Sequence, residues 1–233
     1  KRIGFEGLVK HRKTINRFIL PLEASKNRQK FLFNLEEETL QKFVLTGGAC
    51  TGKTSLLGAL SRDGFQTVPE VPTLVFAEHK EKGITTRGDS PDFQKLLLKR
   101  QLEFESKLDS KKPAFLDRSC IDMIAYSRFF GIEIPKELFI SAEESRFNSI
   151  FILEFLPSFD NGSNAFRWGT LEDAKITHKL IHEAYLEFGY QPISIPAFSV
   201  HRRAKFVTHS VESSLKEATN CSPALGQRQE IFG

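Results

Sequence analysis

Three cysteines in 233 residues, Cys50, Cys120 and Cys221, stand far apart with no Cys-x-x-Cys pair. That spacing argues against a disulfide framework or a zinc site and fits a reducing compartment, so a cytoplasmic protein is expected. The six histidines offer no metal-ligand spacing either. His178 and His182 lie four apart, but no acidic third ligand is near and they read as a plain helix face. No apolar run approaches the roughly 18 residues that a bilayer-spanning helix needs, and there are no internal repeats. The chain begins at Lys1 and not at Met, which leaves the native N-terminus and any targeting signal open. The net charge of +4 is unevenly placed: residues 1–30 hold nine Lys/Arg against two Glu, so the remainder sums to −3. The basic pI therefore says nothing about nucleic-acid binding by the core.

What is present is a well-supplied interior, 40% hydrophobic with 22 Phe, of a length that suits one α/β domain. Its organising stretch is KFVLTGGACTGKTSLLGAL, residues 42–60. A short apolar run reads as a buried strand, Gly47 to Thr54 reads G-x-x-x-x-G-K-T, and Leu56, Leu57 and Leu60 then fall at helical spacing. A loop can wrap a triphosphate only if its backbone N–H groups point inward. Gly47 and Gly52 permit the backbone angles this takes, and the following helix adds unpaired N–H groups and the positive end of its dipole. Lys53 can reach the β- and γ-phosphates, and the Thr54 hydroxyl can ligate Mg²⁺. Gly47, Gly48, Ala49, Cys50, Thr51, Gly52, Lys53, Thr54 and Ser55 are thus expected to cradle ATP or GTP, with Mg²⁺ as cofactor.

Further along, FQTVPEV (65–71), AFLD (114–117), SIFILEFL (149–156) and ISI (193–195) read as strands, and helices are expected near 74–81, 91–108, 120–130, 170–188 and 200–214. Strands alternating with helices imply right-handed crossovers and a five-stranded parallel sheet covered on both faces, a three-layer α/β P-loop NTPase. The expected organisation is a basic arm over 1–30, the P-loop domain over 31–216 and a polar tail over 217–233. Ligands of such sheets sit beyond the carboxyl ends of the strands, which singles out the residues found there. Asp117 is placed to hold Mg²⁺ with Thr54, or else to cap the next helix, and Arg118 to pair with phosphate oxygens. Glu70 reads as a general base or metal ligand, or as a solvated turn carboxylate. Arg167, in the polar loop 157–168, can close over the transferring phosphate or stack on Trp168; Arg87 is a weaker case of the same kind. The basic arm is either solvated or a contact for an anionic lipid surface or nucleic acid.

GGACTGKTSLLGALSRDGFQTVPEVP, FLDRSCIDMIAY, FRW and YLEFGYQPISIP together resemble the NadR/TTD-type P-loop domain family, AAA-like ATPases related to ribosylnicotinamide kinase and deoxynucleoside kinases. The resemblance covers roughly residues 42–207. It implies that the fold is nucleotide-kinase-like, that Glu70 serves as the base at the end of the second strand and that Arg118 binds phosphate. Lys53, Glu70, Asp117, Arg118 and Arg167 are then the catalytic candidates. The single evident lid arginine departs from the family pattern, as does the spacing between Asp160 and Arg167. Two function classes follow: a small-molecule kinase that phosphorylates a hydroxyl of a nucleoside-like acceptor, or a nucleotide-dependent switch with slow hydrolysis and a protein or phosphoinositide partner.

Overall fold

The computed structural model describes residues 40–85, 88–157 and 169–220. The expectations for the basic arm, for Arg87, for Arg167 and Trp168, and for Cys221 lie outside the described residues. The elements run β1 (Lys42–Thr46), α1 (Lys53–Arg62), β2 (Gln66–Val68), α2 (Val71–Glu81), α3 (Pro91–Glu105), β3 (Ala114–Asp117), α4 (Cys120–Phe130), α5 (Lys136–Glu144), β4 (Ser149–Leu153), α6 (Leu171–Glu187), β5 (Ile193–Ile195) and α7 (Val200–Asn220). All five strands are parallel and lie in the order β2-β3-β1-β4-β5. The outer strands, β2 and β5, have three residues each and are followed by Pro69 and Pro196.

The inner strands β1, β3 and β4 read as nearly continuous apolar runs because helices cover both faces. Alternate residues of one strand serve opposite sides. Val44, Val68, Leu116, Ile150 and Ile152 join a core with α2 through α6, while Phe43, Leu45, Phe115, Phe151, Leu153 and Ile195 face α1 and α7. A slip of one residue would exchange the two sets. The register (Leu45 opposite both Asp117 and Phe151) is therefore held from both sides.

Local chemistry sets several helix starts. Ser90 caps α3, its Oγ accepting from Phe93 N at 3.2 Å with Pro91 at the first helical position. Capping boxes open α4 (Ser119 with Asp122) and α6 (Thr170 with Asp173). So it is Ser119, not Asp117, that caps α4, and the Asp117 carboxylate is left for another use. Several expected boundaries shift: α3 ends at Glu105 and not near 108, and β4 ends at Leu153 and not at 156. Pro69 ends β2 early, and α2 begins at Val71 with Glu70 as its N-cap residue. α5 was not expected at all, and α7 runs on to Asn220, past 214.

In the chain β1 leads to its neighbours on one side, β2 and β3, before β4 and β5 build on the other. β1 thus sits where the strand order reverses, which places a crevice beyond the carboxyl ends of β1 and β3.

Candidate functional site

Residues 47–52 carry the chain from β1 to α1 through backbone that side chains resist. Gly47 has φ +128°, and a Cβ there would stand 2.8 Å from Leu153 O; a Cβ on Gly48 would stand 2.5 Å from Ala174 O. Cys50 adopts φ +60° without being glycine. The loop is tied from within: Thr51 Oγ1 donates to Gly48 O at 3.1 Å, and Lys53 Nζ donates to Gly48 O at 2.7 Å and Gly47 O at 3.1 Å. Ala49, Cys50, Gly52 and Thr54 line the adjoining cavity, whereas Ser55 points to the exposed side of α1.

Lys53 is only 6% exposed. Burial pulls its pKa down to about 8, helped by the like charge of Arg118 and resisted by Asp117 and Glu70, so it remains a cation at neutral pH. Three strand ends meet around it. From β2, Glu70 accepts from Arg118 Nε at 2.9 Å and from Thr73 Oγ1 at 2.8 Å. Burial pushes the Glu70 carboxyl up, but Arg118 and Lys53 more than offset this and hold it at about 2. From β3, Asp117 lies 3.5 Å from the Thr54 hydroxyl, which donates to its Oδ2.

Arg118 follows with φ +73°, a conformation that costs a non-glycine residue about 1–3 kcal/mol. Its surroundings over-determine it. Its N–H donates to Leu45 O at 3.0 Å, Nη1 donates to Gly47 O at 3.0 Å, and the guanidinium lies 5.0 Å from the Tyr126 ring centre. The expected phosphate-pairing arginine is therefore already engaged with the loop that would hold the phosphate.

Behind it lies a buried group that the sequence reading passed over. Asp122 accepts from Thr46 Oγ1, from Ser119 N at 3.0 Å and from Tyr185 OH at 2.6 Å, with Arg118 Nη1 at 3.5 Å. Only its Ser-x-x-Asp spacing gave a local sign. His178 was also misread: on α6, it accepts from Gly48 N through Nδ1 at 3.2 Å, and burial pushes its pKa down, which favours the neutral form this bond needs. Arg203, from α7, bonds Thr51 O in the loop.

The fit to Mg²⁺ rests on oxygen donors alone, the chemistry this cation prefers. Asp117 Oδ1 is buried with no hydrogen-bond partner among the described residues, and its other oxygen already meets Thr54. A bound cation would satisfy that orphan. Burial, then the negative charge of Glu70, raises the Asp117 carboxyl to about 6. The folded chain thus holds this proton more tightly than the unfolded one. The stabilisation is full below the usual carboxylate range and is lost as pH rises through about 6. Asp117→Asn is accordingly expected to stabilise the apoprotein by about 2 kcal/mol at pH 8 and hardly at all at pH 4. Urea unfolding at the two pH values checks this, and an equal effect at both would contradict it.

One cavity, of about 370 Å³, joins these groups to an apolar chamber. Lys53, Thr54, Glu70, Asp117 and Arg118 line it together with Phe76, Phe93, Phe129, Phe130, Gln94 and Tyr126, whose ring stands against Arg118. Gln94 is 2% exposed, and its Oε1 has no partner among the described residues.

A family model described as AAA domain matches residues 42–203, from the first residue of β1 to α7. The chain belongs to the AAA domain family. This AAA domain is also similar in fold to solved structures. NadR in complex with NR matches at 18% identity and TM-score 0.52, over 80% of this chain and 52% of that one. NadR in complex with NAD and AMP-PNP matches at 18% and 0.52, over 82% and 52%. Thymidylate kinase from Ehrlichia chaffeensis matches at 16% and 0.53, over 74% of this chain and 99% of the kinase. At such identities the likeness is one of fold, and the AAA domain spans about half the length of NadR. No curated protein matches the chain. Among the described residues no helix is long and apolar enough to cross a membrane.

Proposed function

We propose that this AAA domain is an ATP-dependent phosphotransferase whose acceptor is a hydroxyl of a nucleoside-like molecule. The observation that carries the reading is the lining of this cavity: a loop lysine, Arg118 and two strand-end carboxylates, joined by aromatic side chains and a buried carboxamide. A planar base between phenylalanine rings, with an edge N–H donated to Gln94 Oε1, would point its sugar hydroxyl back toward Glu70. An unsatisfied buried acceptor costs about 1–3 kcal/mol, so a donor-bearing edge gains from filling it.

Lys53 would exchange its bonds to Gly47 O and Gly48 O for phosphate oxygens. Amides of residues 49–54 would hold the β- and γ-phosphates, and Arg118, fixed by Glu70 and Asp122, would offset charge on the transferred group. Thr54 and Asp117 would hold Mg²⁺, which when bound draws off charge from the phosphate oxygens. Glu70, kept ionised, accepts the acceptor's O–H and so aims the oxygen at the γ-phosphorus. A bond forms from that oxygen to phosphorus, the bond to the bridging oxygen breaks, and ADP leaves. Because the transition state is loose, the proton need move only late, which suits so weak a base.

The test is ADP release by purified protein with ATP and Mg²⁺ across a panel of nucleosides. A rate that rises at least tenfold with one member, together with formation of its monophosphate, is the expected result. A slow release indifferent to every acceptor would instead support the nucleotide switch. Gln94→Leu should raise the KM for the active nucleoside by about tenfold while the KM for ATP stays within twofold.

A further inference from the structure

Arg203 is the largest of the fully buried side chains, at 2% exposed, and no step of the proposed reaction uses it. Its acceptors among the described residues are three main-chain carbonyls from three strand-end loops. Nη1 donates to Thr51 O in the phosphate loop, Nη2 to Glu154 O beyond β4 at 2.9 Å, and Nε to Pro196 O beyond β5 at 2.9 Å. Burying a guanidinium costs several kcal/mol unless its donors are met; here three carbonyls take them, and the Glu154 charge adds to their pull. A hydrophobic residue would close α7 onto α1 more cheaply, as Val207 and Val211 do one and two turns on. What the arginine adds is an orientation.

In a planar trans peptide the C=O and the next N–H point in opposite directions. With Thr51 O drawn toward Arg203, the N–H of Gly52 is turned the other way, toward the side on which Gly52 and Lys53 line the cavity. Gly52 holds φ +86°, and a Cβ there would stand 3.3 Å from Arg203 Nη1, so the arginine also packs closely under that bend. Thr51 is pinned at its hydroxyl as well, by Gly48 O, and cannot easily turn back.

We propose that Arg203 is a positioning residue for a polyphosphate: it holds the Thr51–Gly52 peptide so that the Gly52 amide faces the anion, and through Pro196 it ties that aim to the loop after β5. This rests on the polyphosphate reading of the loop, and the probe is chosen to separate the two. Tripolyphosphate has no base or sugar, so its binding reports the phosphate cradle alone.

Calorimetric affinities for tripolyphosphate and for ATP are compared in the full-length chain, Arg203→Met and Arg203→Lys, each with its thermal midpoint. Arg203→Met is expected to lose about tenfold to hundredfold in affinity for both ligands. Arg203→Lys keeps the cation but cannot span three carbonyls, so it should remain impaired for both; it alone decides if the methionine variant does not fold. Wild-type affinity in Arg203→Lys would mean that only the charge matters and would overturn the proposal. A loss confined to ATP would also overturn it, by moving the residue's role to the base. If the wild-type chain binds neither ligand, the polyphosphate reading falls and takes this one with it; if it binds both and the variants bind equally well, only this one falls.

Discussion

Lys53→Met lowers affinity for ATP by at least about a hundredfold, the loss that follows when one partner of a close, desolvated charge pair is truncated. The lysine has no competing role on the surface: it is 6% exposed and its ammonium sits on the carbonyls of Gly47 and Gly48. Those bonds hold the cation at the mouth of the loop until phosphate oxygens, which bond it more strongly, replace them. Methionine keeps the length of the stem and removes the ammonium, with its charge and its bonds to Gly47 O and Gly48 O. The fold should survive, because the same change relieves the repulsion with Arg118 that helps to pull the lysine down to about 8. Titration with a fluorescent ATP analogue, alongside a thermal melt, gives both numbers. An unchanged affinity in a folded variant would remove the phosphate loop from the reading altogether.

The second large effect is on turnover. Glu70→Gln is expected to leave ATP affinity within about threefold and to cut acceptor-dependent ADP release by about a hundredfold or more. Glutamine can keep its oxygen on Arg118 Nε and turn its NH2 to Thr73 Oγ1, which then accepts instead of donating, so the shape is kept while the charge goes. Removing that charge leaves Arg118 with less compensation, and the melt of the variant shows how far the fold pays for it. The pH profile adds a separate check. Glu70 is held at about 2 by Arg118 and Lys53 against burial, so its stabilising ionisation is complete above the usual carboxylate range and fades only as pH falls toward 2. Any acid limb of the rate near pH 6 therefore belongs to another group. If Glu70→Gln turned over at the wild-type rate, the carboxylate would have no part in aiming the acceptor.

The loop after β1 was legible in the sequence because all its parts are local: a strand, glycines at two positive-φ positions, Lys53 and a helix, all within residues 42–62. The strand-end residues Glu70, Asp117 and Arg118 were legible for a related reason, since a parallel sheet brings its carboxyl ends to one side whatever the intervening lengths. What could not be read was contact between remote elements. Gly48 N and His178 are 130 residues apart, and Thr51 O and Arg203 are 152 apart; nothing in the spacing of a histidine pair or a basic helix start betrays such a meeting. α5 escaped because only Leu138 and Ala142 of its nine residues are buried, too few for a periodic stripe. The aromatic chamber was visible only as apolar helix faces. Phe93 and Tyr126 became lining residues once α3 and α4 were packed beside one another.

The brevity of the outermost strands has its own consequence for how this chain meets others. A border of three residues closed by Pro69 on one flank and Pro196 on the other offers too few free main-chain groups to recruit an incoming strand. Growth by edge-to-edge pairing, the usual route to fibrous aggregates, is discouraged at both ends of the layer.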